Sequence, residues 1–268
     1  MKIYVSIDME GLWGVHSPDQ LHAGEREHER TRHLMVDELN VVIKALFQHG
    51  ATDVLVNDAH GSMDNVLIEK LDSRAALIGG SAKRYSMMAE IDQGYDGAVF
   101  IGYHPKASTQ EGIFDHTYSG RVIRDVTVND VSMSEAGLNA RLAGHFGVPV
   151  MLVSGDNVVC DAMRDELGDV TTFAVKKTLS RTAARHLPRR DLEAGYGAAI
   201  ERAMRHGGVM KTELTPVVGR IAFKESMMTD KPAQWSGVRR IDATTLEVTA
   251  DDFASFYEAF LLMLTLAK

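Results

Sequence analysis

Runs typical of β-strands alternate with helical segments through the first 210 residues of the chain. Short runs rich in β-branched and aromatic residues begin at residues 2, 53 and 97, with the sequences KIYVSI, DVLVND and GAVFIGY. The segment 27–47 has apolar residues three and four apart and is followed by Gly50, the pattern of a helix with a glycine stop. Shorter helical segments are predicted near residues 63–71 and 85–91. This alternation requires right-handed crossovers. It predicts an α/β fold with a largely parallel sheet flanked by helices.

The alternation changes near residue 210. After that point VVGRIAFKES and TTLEVTAD are typical of strands, and an apolar helix is predicted from about Asp252. We therefore predict a main α/β domain over residues 1–210 and a smaller C-terminal α+β unit over residues 211–268.

Composition excludes several classes of partner. The net charge is −8 and no run of lysine and arginine occurs, so we expect no nucleic-acid partner. The apolar C-terminal stretch is interrupted by Glu258 and is shorter than the roughly 20 residues that cross a bilayer, so we expect no membrane partner. A single cysteine, Cys160, suits a reducing compartment, and the N-terminal residues lack the pattern of a signal peptide. We predict a cytoplasmic protein with Cys160 in the core.

Acids and histidines follow three of the predicted strands. Asp8 and Glu10 come after the first, His60 after the second and His104 after the run GAVFIGY. The carboxyl ends of parallel strands lie at one edge of a sheet, where ligands gather. Two residues apart in an extended segment, Asp8 and Glu10 point to the same side. The pattern predicts that these four side chains meet.

Carboxylates and imidazoles without thiolates suit Zn²⁺, Mn²⁺ or Co²⁺ better than Mg²⁺. Two carboxylates, two histidines and one further acid exceed the three protein ligands of a typical catalytic zinc, but they suit two metals bridged by a carboxylate and a water. This set predicts a dinuclear hydrolase. The ordinary alternatives are structural histidines and carboxylates that cap helices or turns, as at Asp58.

Seven motifs then point to a family. They are SIDMEG at 6–11, LVNDAHG at 55–61, GYHPKAST at 102–109, DHTYSG at 115–120, SEAGLNA at 134–140, VSGD at 153–156 and VKKTLSR at 175–181. In this order they resemble the motifs of the D-aminopeptidase (DppA-type) family of dinuclear zinc metallopeptidases. The resemblance covers most of the chain and is weakest after residue 211.

The resemblance implies a role for six residues. Asp8 matches a carboxylate that bridges two zinc ions, and the remaining implied metal ligands are Glu10, His60, His104 and Glu135. His116 matches a histidine beside the metals that the family needs for activity, as an acid/base, an oxyanion stabiliser or a nucleophile. Five other residues lie in the same motifs: Asn57, Asp58, Ser154, Asp156 and Lys176. Of these, Asn57 and Asp58 are expected to orient His60.

The implied function is a zinc-dependent aminopeptidase with two Zn²⁺ per subunit. It would hydrolyse the N-terminal residue of short peptides that begin with a D-amino acid, through a metal-bridged hydroxide. The family also implies a homo-oligomer, a decamer of two pentameric rings. Two alternatives stay open on the residues alone: a metal-dependent phosphohydrolase, which basic residues at the pocket would favour, and an assembly or peptide-binding protein with structural metals in closed coordination.

Overall fold

The fold is described from a computed structural model that covers residues 1–268. Its main sheet has seven strands in the order β3-β2-β1-β4-β7-β8-β9, and every pairing except β8 with β9 is parallel. The strands are β1 (Lys2–Ile7), β2 (Asp53–Asp58), β3 (Ala75–Ile78), β4 (Gly97–Tyr103), β7 (Val150–Asp156), β8 (Thr171–Ser180) and β9 (Ala183–His186). The predicted α/β class with a largely parallel sheet is confirmed.

A second, antiparallel sheet has five strands in the order β11-β12-β10-β5-β6. They are β5 (Ile123–Val128), β6 (Val131–Ser132), β10 (Val217–Phe223), β11 (Val238–Arg240) and β12 (Thr245–Ala250). Strands from before and after residue 210 pair directly, because β10 lies between β5 and β12. The antiparallel sheet therefore contains strands from both sides of residue 210. The domain boundary at that residue stays a prediction.

Helices cover both faces of the main sheet. They are α1 (His28–Gln48), α2 (Glu135–His145), α3 (Asn157–Leu167), α4 (Arg189–His206) and α5 (Phe253–Leu266). Alternate residues of β1 face opposite layers: Ile3, Val5 and Ile7 join the core under α1 and α4, whereas Tyr4 joins the core of α2, α3, α5 and the second sheet. Cys160 is buried in the latter core as a free thiol. No helix has the length and apolar character needed to span a membrane.

The prediction of two short helices, near residues 63–71 and 85–91, is wrong. Only single 3₁₀ turns form there, at Ile68–Lys70, Ser86–Met88 and Ile91–Gln93. Met63, Tyr85 and Glu90 have φ values of 61°, 61° and 64°. Left-handed backbone at these positions cannot continue a right-handed helix.

Candidate active site

Four of the predicted ligands meet at the carboxyl edge of the main sheet. Asp8 and Glu10 follow β1, His60 follows β2, and His104 follows β4 directly. His60 Nδ1 lies 3.1 Å from Asp8 Oδ1 and 2.9 Å from Glu10 Oε2. His104 Nε2 lies 3.5 Å from Asp8 Oδ2. All four side chains are buried. They lie together beside the ends of parallel strands, as the sequence predicted.

Glu135 and His116 complete the group from outside the main sheet. Ser134 caps α2 by accepting a hydrogen bond from the amide of Gly137 at 2.9 Å, which makes Glu135 the first residue of the helix. Glu135 Oε1 lies 3.4 Å from His104 Nε2 and 3.5 Å from His116 Nε2. The rings of His104 and His116 are stacked, with centroids 4.2 Å apart. The structure therefore brings all six residues together.

Three sets of three residues place their ligand atoms within 4.8 Å of one another: Asp8, Glu10 and His60; Asp8, His104 and Glu135; and Glu10, His104 and His116. The first two sets share Asp8, whose Oδ1 faces His60 and whose Oδ2 faces His104. A carboxylate that presents one oxygen to each of two ligand sets has the geometry of a bridging ligand.

Each histidine has one ring nitrogen fixed by a backbone carbonyl. His60 Nε2 donates to Leu21 O at 2.7 Å, His104 Nδ1 to Pro105 O at 2.9 Å and His116 Nδ1 to Phe114 O at 2.8 Å. Such outer bonds select the tautomer of a metal-binding histidine. The second nitrogen of each ring points into the carboxylate cluster, where it could bind a metal after losing its proton.

The cluster fits a cation. His104 Nε2 is buried without a hydrogen-bond partner, although carboxylate oxygens lie 3.4 and 3.5 Å away. An orphaned buried nitrogen is costly unless something absent from the polypeptide satisfies it. With three acidic side chains around three imidazoles and no thiolate, the donor set is the one that zinc accepts. Asp8, Glu10, His60, His104 and Glu135 would hold the metal.

Electrostatics within the cluster are strongly coupled. Burial and the charge of Glu10 raise the pKa of Asp8 to about 8. Burial opposes the charged form of His104, but Glu135, Glu10 and Asp8 outweigh it and raise the pKa of His104 to about 10. For His116 burial and the neighbouring charge of His104 prevail and lower its pKa. Protons thus take the place that a cation would fill, and metal binding would release them.

Glycines allow the strand ends to approach closely. The amide of Gly11 donates to Gly102 O at 2.7 Å, and a Cβ atom at Gly11 would lie 2.0 Å from Tyr103 O. At Gly102, where φ is +71°, a Cβ atom would lie 2.2 Å from Asp8 O. Only glycine fits at these two positions, because the obstacles are backbone atoms.

Lys176 on β8 fixes the segment that carries Glu10. Its buried ammonium group donates to Glu10 O at 2.6 Å, Leu12 O at 3.0 Å and Val15 O at 2.7 Å. Burial lowers the pKa of Lys176 to about 8. All three ammonium donors are used, so Lys176 positions the loop after β1 and does not face the cavity.

Other contacts support the ligands. The carboxylate of Asp58 accepts hydrogen bonds from the amides of His60 at 3.3 Å and Val66 at 2.8 Å, which shapes the loop around His60. Tyr118, which sequence reasoning missed, donates its amide hydrogen to Glu135 Oε1 at 2.6 Å. That contact depends on φ of 57° at Tyr118, for which the sequence carries no clear signal.

A cavity of about 410 Å³ opens beside the cluster. Asp8, Glu10, His60, His116 and Glu135 contribute to its wall. Basic side chains also line it: Lys83, Arg121 and Lys268. None of these three could be selected from the sequence, because they do not directly follow a predicted strand and lie in no motif.

Comparison with known proteins identifies the family. The family model described as D-aminopeptidase matches residues 1–262. The chain belongs to the D-aminopeptidase family. A D-aminopeptidase of Bacillus subtilis (strain 168) is 35% identical over 274 residues, covering 100% of this chain and 98% of the relative.

A solved structure gives the same picture of the fold. The Zn-dependent D-aminopeptidase DppA from Bacillus subtilis, described as a self-compartmentalizing protease, matches with a TM-score of 0.96 at 35% identity, covering 100% of this chain and 98% of that one. Family membership confirms the sequence-based identification as a metallopeptidase. It also favours a peptidase over the phosphohydrolase and structural-metal alternatives.

Proposed function

We propose that this D-aminopeptidase family member is a zinc-dependent aminopeptidase that removes the N-terminal residue of short peptides beginning with a D-amino acid. Two zinc ions would bind per subunit, one at Asp8, Glu10 and His60 and the other at Asp8, His104 and Glu135. The observation that carries this proposal is the shared position of Asp8, which presents a different oxygen to His60 and to His104.

Bound zinc supplies the positive charge that polarises a peptide carbonyl and lowers the pKa of water, so that hydrolysis proceeds near neutral pH. Within the chain, the backbone carbonyls bonded to His60 Nε2 and His104 Nδ1 fix which nitrogen of each ring would face the metal. The amide of Tyr118 holds the Glu135 carboxylate in place.

His116 would act on the substrate. Its side chain is 20% exposed, against 6% for His60 and 1% for His104, so it reaches the cavity. Its lowered pKa leaves the ring neutral at pH 7, and Nε2 can accept a proton while Nδ1 stays bonded to Phe114 O. We propose that its main role is proton transfer to the leaving amine. Oxyanion stabilisation and nucleophilic attack are the two alternative roles.

The direct test measures hydrolysis of D-Ala-D-Ala and metal content together. We expect two zinc ions per subunit in protein purified without added metal, and loss of turnover after chelation. Asp8→Asn and His104→Ala should each remove most activity and at least one metal. Full metal occupancy with unchanged turnover in both variants would reject the site.

Homo-oligomerisation is part of the proposal, as a decamer of two pentameric rings. Large apolar side chains are exposed on the single chain, among them Leu214 (81%), Met227 (70%) and Ile68 (67%). Assembly would bury such residues. Light scattering should show a species near ten times 29.5 kDa; a fully active monomer at micromolar concentration would contradict it. A cytoplasmic location completes the proposal and suits the free thiol of Cys160.

A further inference from the structure

Among the basic residues of the cavity wall, Lys83 is the one whose ammonium group is held by hydrogen bonds. It lies in the loop after β3, and its ammonium group donates to Asn57 Oδ1 at 2.7 Å and to Asp58 O at 2.7 Å. Both acceptors are uncharged oxygens at the end of β2. The Asp58 carboxylate is committed elsewhere, to the amides of His60, Asn65 and Val66.

One donor of Lys83 remains free. An ammonium group has three N–H donors, and two of them are used. The side chain is partly buried and lines the same cavity as Asp8 and Glu10. A partly buried cation with a free donor in a cavity favours an anionic ligand, because burial weakens its solvation and the nearby Asp58 carboxylate bonds backbone amides and does not pair with it directly.

The other two cations of the cavity differ from Lys83. Arg121 and Lys268 are exposed to solvent, so water and salt screen their charges. Lys83 is therefore the residue that best suits a fixed contact with a negative group.

Lys83 lies close to the candidate ligands in the fold. It binds the carbonyl of Asp58, and His60, two residues later, contacts Asp8 and Glu10. A short peptide whose scissile bond lies at the ligand cluster would place its far end in the same cavity as Lys83.

We infer that Lys83 binds the C-terminal carboxylate of the short peptide substrate. This inference rests on the proposed aminopeptidase function and assigns the residue that reads the far end of its substrate. Burial lowers the pKa of Lys83 to about 8, and a bound carboxylate would stabilise its charged form.

The test compares D-Ala-D-Ala with D-Ala-D-Ala amide, which lacks the carboxylate. In Lys83→Met, KM for D-Ala-D-Ala should rise by about 10- to 100-fold, the range for losing a charge-assisted hydrogen bond. KM for the amide should change by less than about twofold, and zinc content should match the wild type. Lys83→Gln, which keeps a donor without the charge, should give the same selective loss, and serves if Lys83→Met folds poorly. Arg121→Gln is the matched control at an exposed cation of the same cavity and should leave the preference unchanged.

Four results would overturn the inference. An equal loss on both substrates would show that Lys83 only holds the end of β2. Unchanged kinetics in both Lys83 variants, or an equal shift in Arg121→Gln, would show that it does not read the carboxylate. If the wild type hydrolyses neither peptide, the proposed function itself fails and the inference fails with it.

Discussion

Replacing Lys176 by methionine tests how the loop after β1 is held. The substitution keeps most of the side-chain volume and removes the ammonium group that binds Glu10 O, Leu12 O and Val15 O. Methionine has no hydrogen-bond donor that could replace this ammonium group. The three carbonyl groups would remain in a region where Lys176 itself is 1% exposed.

The expected cost follows from these contacts. Each hydrogen bond from a charged donor contributes about 1.5–3 kcal/mol, and an unsatisfied buried acceptor costs about 1–3 kcal/mol. Methionine also avoids the cost of burying a charge, which offsets part of this loss. Asp156, whose buried Oδ2 has no hydrogen-bond partner, would lose a cation that lowers its pKa. We expect Lys176→Met to reduce the free energy of unfolding by about 3–5 kcal/mol, the range for breaking a buried charged contact.

Urea denaturation of metal-free protein, followed by circular dichroism at one protein concentration, measures this loss without the contribution of bound metal. Zinc affinity, measured by competition with a chelator, should also fall, because the carbonyl of Glu10 is one of the three groups that Lys176 holds. Lys177→Met is the matched control, since Lys177 is the next residue of β8 and is exposed. If Lys176→Met unfolds at the same urea concentration as the control and binds zinc equally well, the ammonium group does not position the loop.

Three further outcomes are expected. Burial raises the pKa of Glu38 from 4.5 to about 7, so the folded state binds the proton more tightly and stability falls as pH rises from 4.5 to 7. Glu38→Gln removes this dependence. The unfolding free energy of the variant, relative to that of the wild type, should therefore increase by about 3 kcal/mol between pH 4 and pH 8. A difference that stays constant with pH would refute the raised pKa of Glu38. Gly11→Ala should lower zinc occupancy, because the added Cβ would clash with Tyr103 O and shift the segment that carries Asp8 and Glu10; normal occupancy measured by mass spectrometry would contradict this. His116→Ala should keep both metals and lose about 10²-fold or more in turnover, whereas loss of one metal with recovery of activity in excess zinc would make His116 a ligand.

The convergence of the strand-end ligands was predictable because it depends on one rule. Parallel strands end at one edge, so Asp8, His60 and His104 could be placed together from local sequence alone. Glu135 and His116 could not be placed this way, because they come from a helix start and a loop outside the main sheet. Their positions were predicted from family resemblance, and the structure brings them to the cluster.

Contacts between distant segments were beyond the sequence. Lys176 lies 166 residues from Glu10, and its role depends on where β8 stands in the sheet and on the side to which its residues point. Lys83 binds the end of β2 from a loop that includes Ala82 at φ 60° and Tyr85 at φ 61°, where the sequence pattern predicted a helix nearby. Propensity does not predict left-handed non-glycine residues, which tertiary contacts stabilise.

The antiparallel sheet links the C-terminal segment to the chemistry. Glu135 lies three residues after the end of β6, and β6 pairs with β5, which pairs in turn with β10 from beyond residue 210. Tyr257 on α5 donates a hydrogen bond to Asn139 Oδ1 at 2.6 Å, and Tyr118 OH contacts the same oxygen at 3.0 Å. The amide of that tyrosine holds Glu135. Residues after 210 therefore help to fix Glu135, a proposed ligand that the first 210 residues supply, so both predicted segments contribute to one candidate site.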